Sequence, residues 1–376
     1  MQFQGANMLR HLLLNFSRIH IWSAVGILLD QTSRHFVKKK PKSFRSIGGE
    51  DKISELSDDL LVHILLLVPT KDAVATMILS KRWRYVWTKV PKLTYPAERN
   101  VTLVIGGLLG RLLDRLFGKS DKQERFIDKS LQVHKAPVLE LLHIELGPRC
   151  LDDVDVGKWI ANAIDHRKVR ELCFMLTWSA EPTSLPKSLY TCETLVSLCL
   201  SDKILIDVPS LACLPSLKGL RLSFVLAWLN AITFSRLIEC SLIILNELEY
   251  WLEPLMVLLQ NSPNLKVLFI DQSFKRLEKE LPISWNQPSS VPECLSNHLE
   301  IFEWKGYRGR REEKEIMRYI LANSKCLKRV GVSLRSTNKD KTVKELESMS
   351  RVSTSSHLIF STQVEYMSVN NEVMSD

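Results

Sequence analysis

Two hydrophobic rhythms divide this chain. Between residues 52 and 95 the apolar positions fall at helical spacing, and beyond residue 130 they fall in a repeated apolar-x-x-apolar-x-apolar cluster. In the first region Ser57 is placed to cap a helix whose first turn holds Asp58 and Asp59, where the helix dipole favours negative charge. Leu60, Leu61, Ile64, Leu65 and Val68 recur along that helix, and Pro69 stops it. Thr70 is placed to cap a second helix with Val74, Met77 and Ile78 as its apolar stripe. Ser80 is placed to cap a third, in which Trp83 and Trp87 lie four apart and share a face. Leu66 and Leu67 add apolar side chains outside the first stripe. Three short helices have little interior in which to hide so much apolar surface. The pattern therefore reads either as a docking surface or as a helical corner of a larger domain.

The second rhythm occurs at Leu139/Leu142/Ile144, Val169/Leu172/Phe174, Leu195/Leu198/Leu200 and Leu217/Leu220/Leu222. It returns at Leu237/Cys240/Leu242, Leu265/Leu268/Ile270, Leu299/Phe302/Trp304 and Leu327/Val330/Val332. The starts are 30, 26, 22, 20, 28, 34 and 28 residues apart, close to the period of about 20–29 residues of leucine-rich repeats. The alternation in each cluster predicts a short strand with one buried face. Some return segments carry helical stripes: Val156, Trp159, Ile160, Ala163 and Ile164 in one, and Ile316, Met317, Ile320 and Leu321 in another. Strand plus return, stacked repeatedly, makes an α/β solenoid of parallel strands. The competing reading is a conventional α/β domain. The Asn that commonly follows each repeat motif is missing, with Ser201-Asp202 after Leu200 and Ser223-Phe224 after Leu222, so a buried Asn ladder is not expected.

Composition places the 376-residue chain among globular proteins, with 45% hydrophobic and 25% charged residues. The net charge of +9 is unevenly spread. Residues 1–49 hold eight Lys or Arg and one acid, Asp30, while the remainder holds 43 basic and 41 acidic side chains. The body is near neutral, so charge alone does not indicate nucleic-acid binding. Residues 1–29 carry no acid, with Arg10 and Arg18 among apolar residues. This leaves open an organelle-targeting helix. Ile19 to Leu29 is too short to span a bilayer. Lys38-Lys39-Lys40-Pro41-Lys42 reads as a nuclear import signal or as a solvated linker. The eight cysteines have no close pairs in sequence, which points to a reducing compartment.

Catalytic signatures are missing from the sequence. It has no P-loop, no Gly-x-Ser-x-Gly elbow and no His-Glu-x-x-His motif, and no histidine pairs with a cysteine at zinc spacing. His63 reads as a surface residue of the first helix. Arg308, Arg310 and Arg311 precede Glu312 and Glu313, which suits either an anion site or a loop leading into a helix whose first turn takes the glutamates. Trp159, Trp178, Trp228, Trp251, Trp285 and Trp304 are candidates for interface anchors or for core.

The residues of the helical region resemble an F-box of the kind found in a large plant family. The match runs through Asp51-Lys52-Ile53-Ser54, Leu60-Leu61, His63-Ile64-Leu65, Pro69-Thr70-Lys71, Ala73-Val74, Leu79-Ser80-Lys81-Arg82-Trp83-Arg84 and Trp87. The family pattern has Leu-Pro where this chain has Leu56-Ser57. Residues 125–172 resemble the start of the family's repeat region. Residues 291–334, with Val291-Pro292-Glu293-Cys294-Leu295, Trp304, Gly306-Tyr307, Glu312-Glu313 and Tyr319-Ile320-Leu321, resemble its FBD domain, as does 345–356. Residues 101–118 depart from the family, and the chain between Leu222 and Leu237 looks shortened.

The resemblance implies five segments: a basic, disordered extension at 1–48, an F-box at 49–95, irregular leucine-rich repeats at 96–290, an FBD domain at 291–356 and a tail at 357–376. It implies a non-catalytic, substrate-recruiting subunit of a cullin-based ubiquitin ligase, in the nucleus or cytoplasm, with no cofactor and no metal. Its partners would be a Skp-type adaptor, through it a cullin, and an unidentified target protein held on the concave face of the repeats, with no nucleic acid and no membrane. The adaptor-binding residues expected on this basis are Leu56, Leu60, Leu61, Ile64, Leu65, Pro69, Val74, Leu79 and Trp83. A repeat scaffold with a degenerate F-box and a small-molecule receptor are the alternatives.

Overall fold

The computed structural model describes residues 56–78, 80–97, 123–147, 156–176, 183–201, 204–205, 213–223, 232–244, 251–273, 287–335 and 339–361. The extension at 1–48, the 101–118 departure, Leu79, and Trp178, Trp228 and Trp285 lie outside these residues. The described residues divide into two compact units, with the boundary between Val90 and Pro91.

The first unit is helical. Helix α1 (Asp58–Leu65) begins where expected, with Ser57 in extended conformation and its Oγ accepting from Leu60 N at 3.4 Å. Helix α2 (Thr70–Ala75) differs from expectation. Its N-cap is Pro69, whose fixed φ suits entry into a helix, and Thr70 is already helical and buried. Helix α3 (Trp83–Val86) starts three residues after Ser80, which is exposed and caps nothing. Trp83 and Trp87 do share a face, but that face is turned inward and buried. Together with Leu61, Leu65, Ala73, Val74, Val86 and Val90 they form the interior of the unit. Two indoles supply the volume that three short helices need around a common centre.

The second unit is a ten-stranded parallel sheet. In chain order it contains β1 (Lys92–Tyr95), α4 (Gln123–Val133), β2 (Leu141–Leu146), α5 (Val156–Arg167), β3 (Glu171–Leu176) and β4 (Thr183–Ser184). There follow β5 (Ser197–Leu200), β6 (Ile204–Leu205), β7 (Gly219–Ser223), β8 (Glu239–Ile243), α6 (Leu252–Gln260) and β9 (Val267–Asp271). The last elements are α7 (Glu293–Asn297), β10 (Ile301–Tyr307), α8 (Arg311–Asn323), β11 (Arg329–Leu334), α9 (Lys339–Glu347) and β12 (His357–Ser361). The main sheet runs β1-β2-β3-β5-β7-β8-β9-β10-β11-β12, in sequence order, while β4 and β6 pair separately.

The repeat clusters map onto this sheet rung for rung. Leu142, Leu172, Leu198, Leu220, Cys240, Leu268, Phe302 and Val330 form one row in register. Ile144, Phe174, Leu200, Leu222, Leu242, Ile270, Trp304 and Val332 form the next, and every member of both rows is buried. Each strand is entered by a backbone bond from the preceding rung, as in Lys218 N to Val196 O (2.8 Å), Lys266 N to Ile238 O (2.9 Å) and Lys328 N to Glu300 O (2.8 Å). The fold is thus α/β, a helical F-box-like unit followed by a stack of parallel strands with helical or loop returns.

Two rungs extend the stack beyond the eight clusters. Val90, Leu93 and Tyr95 repeat the spacing within the predicted F-box range, and Leu93 and Tyr95 align with Leu142 and Ile144. At the far end Leu358 and Phe360, in the predicted tail, align with Val330 and Val332. The helical stripes behave as read: Val156, Trp159, Ile160 and Ala163 are buried with Ile164 half-buried, and Ile316, Met317, Ile320 and Leu321 are buried. Polar groups close the strand ends in place of an Asn ladder. Ser201 Oγ accepts from Leu176 N at 2.7 Å and lies 3.2 Å from Leu176 O. Gln272 Oε1 accepts from Trp304 Nε1 at 3.3 Å.

Candidate functional site

In the helical unit an ionic clamp holds the start of α1. Asp58 accepts from Arg82 Nε at 2.8 Å and from Lys89 Nζ at 3.0 Å, and Arg82 Nη2 also donates to Leu56 O. The Lys89 ammonium, and then the Arg82 guanidinium, hold the Asp58 carboxyl below its ordinary value. These groups are partly exposed, so each pair contributes modestly to stability. The clamp fixes geometry by tying Leu56 and α1 to the segment that carries the two tryptophans.

With the interior closed, the unit still presents large apolar side chains to solvent: Leu60 is 52% exposed, Leu67 62% and Tyr85 61%. The nine residues expected to dock an adaptor separate accordingly. Leu60 and Pro69 are exposed, and Leu56 and Ile64 are half-buried. Leu61, Leu65, Val74 and Trp83 are buried within the unit, and Leu79 lies outside the described residues. Sequence reasoning left Tyr85 out. Its signal was present, because a residue midway between Trp83 and Trp87 cannot share their inward face.

In the sheet unit the alternation that buries one face leaves the other largely half-buried. One outward row runs Thr94, His143, Cys173, Cys199, Arg221, Ser241, Phe269, Glu303, Gly331 and Ile359. His143 Nε2 lies 3.1 Å from Glu145 Oε1, and Arg329 pairs with Glu303 at 2.7 Å. Desolvation raises the Glu303 carboxyl despite that partner. Ser241, Phe269 and Gly331 are buried, Ile359 is exposed, and the other members of the row, Cys173, Cys199 and Arg221 among them, are half-buried.

The arginine cluster follows the loop-into-helix alternative. The Glu313 carboxylate, buried in the first turn of α8, accepts from Arg308 N at 2.9 Å and Arg310 N at 3.2 Å. Burial raises this carboxyl and the two backbone donors oppose the rise. The described members of the tryptophan set, Trp159, Trp251 and Trp304, are core residues. Trp304 packs edge-on against Trp251 (5.8 Å) and Tyr307 (5.1 Å). Among the described residues no group of three or more His, Cys, Asp or Glu could hold a metal ion, and no helix is long and apolar enough to cross a membrane.

A small helical unit with apolar residues left outside, followed along the chain by a stack of parallel strands, is the architecture of a small helical domain preceding a repeat array. The sequence comparisons agree with that class. Residues 53–95 match the F-box domain family and residues 287–332 match the FBD family. Two putative F-box/FBD/LRR-repeat proteins of Arabidopsis thaliana are 37% and 39% identical, over 84% of this chain in both cases and over 92% and 96% of their own lengths. An F-box/FBD/LRR-repeat protein of the same plant is 31% identical over 82% of this chain and its own full length. The chain belongs to the F-box/FBD/LRR-repeat family. The first of these alignments extends over 453 positions, more than the 376 residues present here, so that relative contains segments with no counterpart in this chain.

Proposed function

We propose that this F-box protein is a non-catalytic, substrate-recruiting subunit of a cullin-based ubiquitin ligase, its F-box docking on a Skp-type adaptor and its repeat and FBD strands holding a target protein. The carrying observation is the set of apolar side chains, Leu60, Leu67 and Tyr85, left in solvent by a unit whose interior is already closed. A domain this small keeps such residues outside at a cost in solubility unless a partner covers them. In this reading Leu60, Leu56, Ile64 and Pro69 touch the adaptor alongside Leu67 and Tyr85, while Leu61, Leu65, Val74 and Trp83 hold the shape of the docking surface. The chain acts by proximity: it raises the effective concentration of a target near a ubiquitin-charged enzyme, and other subunits perform the transfer. It needs no cofactor, and its site of action is the nucleus or the cytoplasm.

The test is co-expression with a Skp-type adaptor followed by pull-down, beside a Leu60→Asp/Leu67→Asp double variant. Both positions are solvent-exposed, so the variant keeps its fold. Two interface anchors at about 2 kcal/mol each predict roughly a thousandfold loss of affinity. A folded wild-type chain that leaves the adaptor unbound would overturn the ligase reading and favour a repeat scaffold. Equal binding by wild type and double variant would overturn the proposed surface.

A further inference from the structure

Register places two thiols side by side on the outward face of the sheet. Cys173 on β3 and Cys199 on β5 are direct partners across adjacent parallel strands. Their chain neighbours Leu172, Phe174, Leu198 and Leu200 are all buried in the core, so alternation turns both cysteines to the opposite side. Both are half-buried and carry free thiols. The adjoining rungs of the same row are His143 and Arg221.

Adjacent strands stand about 4.8 Å apart, inside the range of about 4.4–6.8 Å between Cα atoms that a disulfide spans. Proximity divides the acidity of the two thiols. It pushes Cys173 up, with burial adding to the rise. It holds Cys199 below the ordinary thiol value, with the Arg221 guanidinium assisting against burial. The more acidic Cys199 suits the attacking sulfur and Cys173 the resolving sulfur, the two roles that thiol–disulfide exchange requires.

We propose that Cys173 and Cys199 form a thiol modification site on the outward sheet face, one that reacts with a low-molecular-weight disulfide of the glutathione type and closes to a cross-strand disulfide. The Cys199 thiolate attacks one sulfur of glutathione disulfide. The S–S bond breaks, a mixed disulfide forms on Cys199, and one glutathione leaves as a thiolate that takes up a proton. Cys173 then gives up its proton and attacks the Cys199 sulfur, releasing the second glutathione. The protein dithiol is oxidised by two electrons, and the glutathione disulfide is reduced to two thiols. Closure must draw Cβ atoms held at about the strand separation to within about 4.5 Å. The product is therefore strained and readily reduced, which makes the modification reversible. The site stands on the sheet geometry alone and does not depend on the adaptor reading.

The experiment uses the full reduced chain equilibrated with graded mixtures of reduced glutathione and glutathione disulfide, then alkylated and mapped as non-reduced peptides by mass spectrometry. The expected product links the peptides of Cys173 and Cys199, is lighter by two hydrogen atoms, and reverts as reduced glutathione increases. In Cys173→Ser the mixed disulfide accumulates on Cys199. In Cys199→Ser no cross-link forms and any glutathione on Cys173 stays as the mixed disulfide, because the partner sulfur is gone. Both cysteines alkylated at every ratio, or a link to a different cysteine, would each overturn the proposal. Circular dichroism of the variants confirms that the sheet persists.

Discussion

Among the described glycines, Gly306 is the position where one added methyl group should cost most. It lies near the end of β10, where pairing with β11 shifts register between Lys305 and Tyr307, and its φ is +78°. A Cβ there would stand 2.7 Å from Ser273 N and 2.8 Å from Gln272 C, both backbone atoms. Gly306→Ala therefore carries two costs. Holding alanine in the left-handed region costs about 1–2 kcal/mol. Displacing the 272–273 backbone weakens the Gln272 N to Lys305 O bond (2.8 Å) and the Trp304 Nε1 to Gln272 Oε1 bond (3.3 Å), together worth about 1–2 kcal/mol. The expected loss is about 3 kcal/mol.

Gly309 supplies the control, because its φ is +74° but the nearest atom to an added Cβ is Thr342 Cγ2 at 3.2 Å, the end of a side chain that can rotate. Gly309→Ala should cost only the conformational part, about 1–2 kcal/mol. Urea unfolding followed by tryptophan fluorescence gives both values from midpoint and slope. Equal midpoints for the two variants would refute the argument, since it attributes the difference to a backbone that cannot move aside.

Acid should loosen the helical unit through Asp58. Its folded-state pKa is lowered by Lys89 and Arg82, so its contribution is present above the unfolded value and is lost as pH falls through the folded one. The Tm difference between wild type and Asp58→Asn should therefore shrink below about pH 4, and a difference independent of pH would rule the clamp out. Ser201→Ala removes the Oγ that serves both Leu176 N and Leu176 O in a buried setting, and should lower stability by about 1–3 kcal/mol. Ser201→Asn returning stability to wild type would show that the position accepts the repeat-type side chain, whereas an unchanged unfolding midpoint in Ser201→Ala would refute the role assigned to the hydroxyl.

The sequence by itself determined the periodicity of this protein. Eight clusters with one spacing dictated eight strands with one buried face, because a side-chain period of two allows no other way to bury Leu142 with Ile144 or Phe302 with Trp304. It also determined the start of α1, since a serine cap followed by two aspartates is a local signal that needs no tertiary partner. The docking residues were legible only in part. Helical spacing groups Leu60 and Leu61 with Ile64 and Leu65, yet it cannot say which side of a short helix meets another helix. Only the packing of α1 against α3 settled that Trp83 and Trp87 fill the interior and that Leu60, Leu67 and Tyr85 stay outside. Pro69 displacing Thr70 as the cap of α2, and Arg82 displacing Ser80 before α3, have the same origin, because chain entry into each helix is set by what the helix packs on. The pairing of Cys173 with Cys199 likewise needed register: the two are 26 residues apart in sequence, and only a parallel ladder without slippage across β3 and β5 sets them side by side.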